Sequence, residues 1–168
     1  MTRGELDPAT AALVDALAAA LRARGWTMCT AESCTGGLVA AACTSLAGSS
    51  DWFERGVVTY SNAAKTELLG VPAELIARHG AVSAEVAAAM AEGALARTPA
   101  HAAVAVTGIA GPGGATPGKP VGTVWVAVAT RARPAAATRL QLGGDRAAVR
   151  HATVQQALHL LLGGLPQA

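Results

Sequence analysis

The sequence predicts an α/β fold, with helices layered on a mixed sheet. Three observations carry that expectation. Segments of helical spacing alternate along the chain with short apolar runs of strand length. One run, Ala102 to Val106, is apolar without interruption, as in a strand covered on both faces. Two later runs, Val121–Thr130 and Ala137–Leu142, lie close enough to pair antiparallel through a connection at Pro134, which makes the sheet mixed.

Taken in order, Asp7-Pro8 reads as a helix start, an N-cap side chain followed by proline at the first helical position. Leu13, Leu17 and Leu21 recur at helical spacing, and Gly25 ends the run. Trp26 to Ala31 reads as a short buried strand. A small-residue helix is expected from Thr35 to about Leu46, broken by Gly48-Ser49-Ser50-Asp51. Phe53 to Tyr60 reads as a second strand. Ser61 can cap a helix that reaches Leu69 and is closed by Gly70, and Pro72 opens another ending near Gly80. Ser83 caps an alanine-rich helix running to about Arg97. Beyond Ala102–Val106, the stretch Gly108 to Pro120 is dense in glycine and proline and long for a connector, which favours a functional role. Gly144-Asp145 starts a final amphipathic helix with Val149, Val154, Leu158 and Leu161 on its apolar side. With no internal repeat and no interdomain linker, a single domain over residues 1–168 is expected.

Composition narrows the function classes. Hydrophobic residues make up 52% and charged residues 14%, which excludes a disordered chain. Aromatics are only 3%, so the core is expected to be built mainly from Ala, Val and Leu. A net charge of +2 gives no electrostatic argument for nucleic acid. No apolar run reaches the roughly 20 residues that span a bilayer, and the N-terminus lacks the basic-then-apolar order of a signal peptide. A cytoplasmic protein is the expectation. Cys29, Cys34 and Cys43 are odd in number and lack zinc-type spacing, so free thiols are expected, Cys29 and Cys43 in the core. His79, His101, His151 and His159 are scattered, suit surface or packing roles, and suggest no metal site.

Chemistry concentrates at Thr30 to Gly37, Thr-Ala-Glu-Ser-Cys-Thr-Gly-Gly. Three nucleophile types, Ser33, Cys34 and Thr35, follow a strand-like run and precede two glycines and a helix. Backbone N–H groups at a helix start can stabilise a developing oxyanion. Ser33 reads as a nucleophile or as an N-cap, and Thr35 is an equally good cap that would leave Ser33 free. The segment is not a Gly-x-Ser-x-Gly elbow, since Ala31 stands where that motif has glycine. Cys34 is the rival, because a thiolate at a helix N-terminus is activated. Glu32 can orient a substrate amide, orient Lys65, or point to solvent.

A base is suggested by composition. Of thirteen basic side chains eleven are arginine, and the two lysines are Lys65 and Lys119. Arginine stays protonated in proteins, whereas a desolvated lysine can act as a neutral base. Lys65 follows Tyr60, the single tyrosine, by five residues. Tyr60 belongs at a strand end and Lys65 on the first turns of the next helix, and open α/β sheets place ligands at strand ends. Ser33, Tyr60 and Lys65 can therefore share one crevice. The competing reading makes Lys65 a solvated helix residue and Tyr60 a packing residue. Lys119, before Pro120, suits an exposed loop first and a phosphate contact second. Thr107-Gly-Ile-Ala-Gly-Pro-Gly-Gly114 puts Gly108 and Gly111 after a strand, where backbone can approach a ligand or form a mobile loop. Gly144-Asp145-Arg146 offers a capped helix start with Arg146 as an anion contact.

Together these segments resemble the CinA C-terminal-domain family, the nicotinamide-nucleotide amidases. The resemblance covers almost the whole chain. It rests on Thr30–Gly37, Ala-Gly-Ser-Ser-Asp-Trp-Phe (Ala47–Phe53) and Gly-Val-Val-Thr-Tyr-Ser-Asn-Ala-Ala-Lys (Gly56–Lys65). It continues through His-Gly-Ala-Val-Ser (His79–Ser83), Thr107–Gly114 and Lys-Pro-Val-Gly-Thr-Val (Lys119–Val124). It implies a three-layer α/β/α sandwich with a mixed, mostly parallel sheet, assembling into homo-oligomers. It implies hydrolysis of nicotinamide mononucleotide to nicotinic acid mononucleotide and ammonia, with no metal or cofactor. The family's catalytic serine, tyrosine and lysine fall on Ser33, Tyr60 and Lys65. Some members carry a further N-terminal domain, and this chain reads as the stand-alone form.

The mechanism expected on that basis has Lys65, directly or through Tyr60, taking the proton from Ser33, with N–H groups around Thr35 and Gly36 holding the oxyanion. Thr107, the loop near Gly111–Gly114 and Arg146 are the candidate phosphate contacts. A non-catalytic module that binds or senses pyridine nucleotides is the alternative.

Overall fold

The computed structural model describes residues 6–167; the outermost residues of the expected domain, 1–5 and 168, lie outside the described part. Five strands form one sheet in the order β2-β1-β3-β4-β5, with β1 at Met28–Glu32, β2 at Phe53–Val58, β3 at Ala102–Gly108, β4 at Thr123–Thr130 and β5 at Arg133–Gln141. β1 pairs parallel with both β2 and β3, while β3–β4 and β4–β5 are antiparallel. Four of the five strands thus point the same way, and the sheet is mixed, as expected.

Six α-helices cover the sheet: α1 (Pro8–Arg24), α2 (Leu38–Thr44), α3 (Asn62–Leu69), α4 (Ala73–His79), α5 (Ala84–Ala96) and α6 (Arg146–Gly164). Strand alternation sorts the core into two sides. Met28, Val104, Val106, Val124 and Val126 pack with Leu17, Leu21, Val39, Leu158 and Leu161 of α1, α2 and α6. Cys29, Ala31, Ala103, Ala105, Ala127 and Ala129 pack with Leu69, Ile76, Val86, Met90 and Ala91 of α3, α4 and α5. The result is a three-layer α/β/α sandwich. Among the described residues no helix is long and apolar enough to cross a membrane.

Local signals explain most boundaries. Asp7 caps α1 through the N–H groups of Ala9 and Thr10, and Gly25 closes it in the left-handed conformation. Ser61, Ser83 and Asp145 cap α3, α5 and α6 with side-chain oxygens. Strand ends shift by one or two residues, and two elements differ by more. α2 starts at Leu38 rather than Thr35, because Gly36 and Gly37 take φ of 58° and 102° and form a left-handed turn first. β5 begins at Arg133 and so contains Pro134, which was expected to join the strands. β5 is an edge strand, where a missing N–H can be tolerated.

Candidate active site

The site forms where the three parallel strands end. Glu32 stands in register with Val58 of β2 and Val106 of β3. The chain just beyond keeps that register: Thr59 N–H donates to Glu32 O at 2.8 Å and Ser33 N–H to Val106 O at 3.0 Å. Ser33, Thr59 and Thr107 therefore emerge side by side. The connections from β1 and from β2 then leave toward opposite helical layers, and the crevice opens between them, as open α/β sheets do at such a divergence.

At its floor, Lys65 Nζ lies 3.1 Å from Ser33 Oγ. The same nitrogen donates to the carbonyl of Thr59 at 2.8 Å and to that of Tyr60 at 3.3 Å. Lys65 is 1% exposed and Ser33 8%. Burial holds the lysine below its ordinary pKa, partly offset by the neighbouring Cys34. No carboxylate among the described residues pairs with the amine.

Tyr60 sits differently from Lys65. It is 60% exposed, and its hydroxyl accepts from Arg146 Nη2 at 3.1 Å. Arg146 Nη1 donates to the Gly111 carbonyl at 2.8 Å. This arginine therefore bridges the crevice mouth, from the end of β2 to the loop after β3. Ser33, Tyr60, Lys65, Thr107, Gly108 and Arg146 all line one crevice of about 200 Å³.

Several expected contacts are arranged otherwise. Glu32 neither points to solvent nor approaches Lys65. Its buried carboxylate accepts from Thr35 Oγ1 at 2.7 Å and from the N–H groups of Gly37, Val39 and Ala40 at 3.2, 2.9 and 2.9 Å. It closes the start of α2, where an anion is favoured. The Gly36 N–H donates to Ser33 O at 3.0 Å, which removes it as a free oxyanion donor. Cys34 lines the crevice, whereas Thr35 is wholly buried and is not among the crevice residues. Thr107 Oγ1 donates to Ala81 O at 2.8 Å, fastening β3 to the loop before α5. Gly108 is demanded by packing: a Cβ there would come within 2.6 Å of Val124 Cγ2. Lys119 donates to the His79 carbonyl at 2.8 Å and is not among the crevice residues.

Cys34 is a crevice residue but is only 6% exposed, and burial pushes its thiol up to about 11 despite Arg150 nearby. A thiol in that state is protonated at neutral pH. Arg150 itself, on α6, donates from Nε to Cys34 O at 3.1 Å and from Nη2 to Thr35 O at 3.2 Å. Sequence reasoning passed over Arg150, because a single arginine on an amphipathic helix reads as solvated. It also passed over Asn62, another crevice residue, at the first position of α3.

Comparison with known proteins agrees with this architecture. The family described as the CinA C-terminal domain matches residues 10–165. The chain is 58% identical over 157 residues to a "CinA-like protein" of Mycolicibacterium gilvum, covering 94% of this chain but 37% of that protein, little more than a third of its length. It is 54% identical over 142 residues to the "Nicotinamide-nucleotide amidohydrolase PncC" of Escherichia coli K12, covering 84% of this chain and 86% of that one. Among solved structures, the competence/damage inducible protein CihA of Agrobacterium tumefaciens superposes with a TM-score of 0.92 at 44% identity, over 94% of this chain and 96% of that chain.

Proposed function

Because the chain belongs to the CinA C-terminal domain family, we propose that it is an amidohydrolase that converts nicotinamide mononucleotide to nicotinic acid mononucleotide and ammonia, with Ser33 as nucleophile and Lys65 as base. The name of the Escherichia coli relative supports the reaction. The single observation that carries the mechanism is the buried Lys65 Nζ at 3.1 Å from Ser33 Oγ.

The hydrogen-bond inventory of that nitrogen fits a base. A neutral amine has two N–H groups and one lone pair. The carbonyls of Thr59 and Tyr60 take the two N–H groups, and the lone pair is left for the Ser33 hydroxyl. After proton transfer the same three neighbours suit an ammonium, with Ser33 Oγ now accepting. Nothing has to move, which is the advantage of a preorganised site. Burial without a paired carboxylate keeps the neutral form accessible.

In the reaction, the Ser33 proton passes to Lys65 as Oγ bonds to the carboxamide carbon, and the carbonyl electron pair moves onto oxygen. The backbone N–H of Cys34, a crevice residue, is the donor assigned to that oxygen. Lys65 then protonates the leaving nitrogen, the C–N bond breaks and ammonia departs. Water attacks the acyl-serine, giving a proton to Lys65, which returns it to Ser33 as the C–O bond breaks; the acid released gives its remaining proton to solvent and leaves as the carboxylate. The positive pyridinium ring makes the carboxamide electrophilic and further disfavours a charged lysine.

The crevice, at about 200 Å³, is smaller than the roughly 300–1,000 Å³ of pockets that bury a drug-sized ligand. The pyridinium carboxamide enters, and the ribose phosphate stays at the rim, where Arg146 and Tyr60 offer donors. Incubating the pure protein with nicotinamide mononucleotide and assaying ammonia tests the reading. Stoichiometric binding with no ammonia, even at high protein concentration, would overturn it in favour of a nucleotide-binding module.

A further inference from the structure

Most polar side chains of the crevice are already engaged by the protein. Lys65 Nζ meets Ser33 Oγ and two carbonyls. Arg146 joins Tyr60 Oη to the Gly111 carbonyl, and Thr107 Oγ1 donates to Ala81 O. Asn62 lines the same crevice, yet its carboxamide has no hydrogen-bond partner among the described residues. An asparagine at a helix start often serves the backbone, but here Ser61 caps α3 through the Ala64 N–H at 3.0 Å. Thr66 Oγ1 bonds the backbone carbonyl of Asn62 and leaves its side chain free. We propose that Asn62 is a specificity residue whose carboxamide reads the two adjacent hydroxyls of the ribose. The proposal rests on the amidohydrolase reading above.

Depth decides which part of the nucleotide Asn62 meets. The carboxamide under attack must touch Ser33 Oγ, and both Ser33 and Lys65 are buried. Asn62 is exposed and also borders a hollow between α3 and α4, so it stands at the outer lip of the crevice. It precedes Lys65 by three residues, almost one turn, on the same side of α3. From there Lys65 reaches back to the carbonyls of Thr59 and Tyr60, beneath the helix start on which Asn62 sits. In nicotinamide mononucleotide the pyridinium ring separates the carboxamide from the ribose. With the carboxamide at the floor, the ring carries the ribose outward, to the level of Asn62.

The chemistry of the two groups matches. Oδ1 accepts and Nδ2 donates, while each ribose hydroxyl can do either. One amide edge can therefore engage both hydroxyls together, accepting from one and donating to the other. A carboxylate at this position would also bind the hydroxyls, but it would repel the phosphate that Arg146 is placed to hold. The neutral amide does not. At an exposed lip water takes the place of the ribose in the free protein, so the gain is modest.

The test compares two substrates on each of two proteins. Wild type and Asn62→Ala are assayed for ammonia release from nicotinamide mononucleotide and from the analogue that lacks both ribose hydroxyls. Wild type should prefer the hydroxylated substrate by about tenfold in kcat/KM, as two exposed hydrogen bonds allow. Asn62→Ala should lose about tenfold on nicotinamide mononucleotide, mostly in KM, and stay within about twofold of wild type on the analogue. Its preference then disappears. A preference that survives in Asn62→Ala overturns the proposal, as does a wild type indifferent to the hydroxyls. An equal loss on both substrates overturns it too, because that marks a contact with the carboxamide or a general disturbance. Each preference is measured within one protein, so a change in stability does not imitate the expected result.

Binding of nicotinic acid mononucleotide, which keeps the hydroxyls and has no amide to hydrolyse, supplies a readout apart from turnover. Its Kd by calorimetry should weaken about tenfold in Asn62→Ala; an unchanged Kd overturns the proposal. If wild type binds this acid but releases no ammonia from nicotinamide mononucleotide, the amidohydrolase reading falls and Asn62 is judged on Kd alone. If it does neither, the nucleotide reading fails and the proposal with it.

Discussion

The floor and the rim of the crevice use similar residue types to opposite ends. At the floor a lysine and a hydroxyl, Lys65 and Ser33, are buried, and among the described residues no carboxylate pairs with the amine. At the rim an arginine and a hydroxyl, Arg146 and Tyr60, meet with Tyr60 in solvent. Burial is what separates them. The lysine is held below its ordinary pKa and can trade a proton with Ser33. The planar guanidinium fork can hold a phosphate without chemistry. On this contrast the floor governs kcat and the rim governs KM.

The largest effect that could break the contrast is Ser33→Ala, expected to lower kcat by about 10³-fold or more at little change in KM. Ammonia release close to the wild-type rate would end the serine mechanism. Lys65→Arg keeps a cation and loses the base, and should be nearly as damaging to turnover.

Lys65→Met tests the same site through stability. Burial disfavours the ammonium in the folded protein, so between the folded pKa and the ordinary 10.5 the unfolded chain binds more protons. Wild-type stability should therefore rise with pH across that window, and below it the cost of the buried charge is present in full. Methionine removes the cost, so Lys65→Met should melt no lower than wild type at pH 7, and its melting temperature should lose this pH dependence. For activity, kcat/KM of the wild type should climb through the same depressed lysine pKa. A Lys65→Met protein that melts well below wild type would show that the lysine is mainly a structural strut.

At the rim the effect is smaller and of another kind. Arg146→Ala should raise KM about tenfold with kcat reduced less, as expected for lost ground-state binding. Tyr60→Phe sharpens the comparison: a KM effect leaves the hydroxyl at the rim, whereas a loss in kcat comparable to Lys65→Arg would move it to the floor. Smallest of all should be Cys34→Ser. With the thiol pushed up to about 11, only about one molecule in 10⁴ is thiolate at pH 7. Activity within about twofold of wild type is expected, and a large loss would reopen the cysteine route.

Much of the architecture could be read from local chemistry. Asp7-Pro8, Ser61, Gly70, Ser83 and Asp145 act on neighbours within four or five residues, and the helices they bound were placed within about a residue. The unbroken run at Ala102–Val106 was legible as a strand buried on both faces for the same reason. The rarity of lysine singles out Lys65 in the sequence itself. What sequence did not reveal depends on contacts far along the chain. Pro134 reads as a joint unless β5 is known to be the sheet edge. Glu32 reads as a ligand contact until its carboxylate is seen beneath α2. Arg150 lies 115 residues from the Thr35 carbonyl that it holds, and no spacing rule reaches that far.

β2 supplies the end of the crevice that carries Tyr60 and leads into Lys65, and it lies at the edge of the sheet, paired on one side with β1 alone. β1, which delivers Ser33, has a neighbour on each side. The two partners of the 3.1 Å contact are therefore anchored to different depths of the hydrogen-exchange spectrum. Amides of β1 should exchange only with the global opening of the domain, and those of β2 through a cheaper local one. Mild heat or denaturant should peel the edge and silence the protein while its far-ultraviolet signal is still intact.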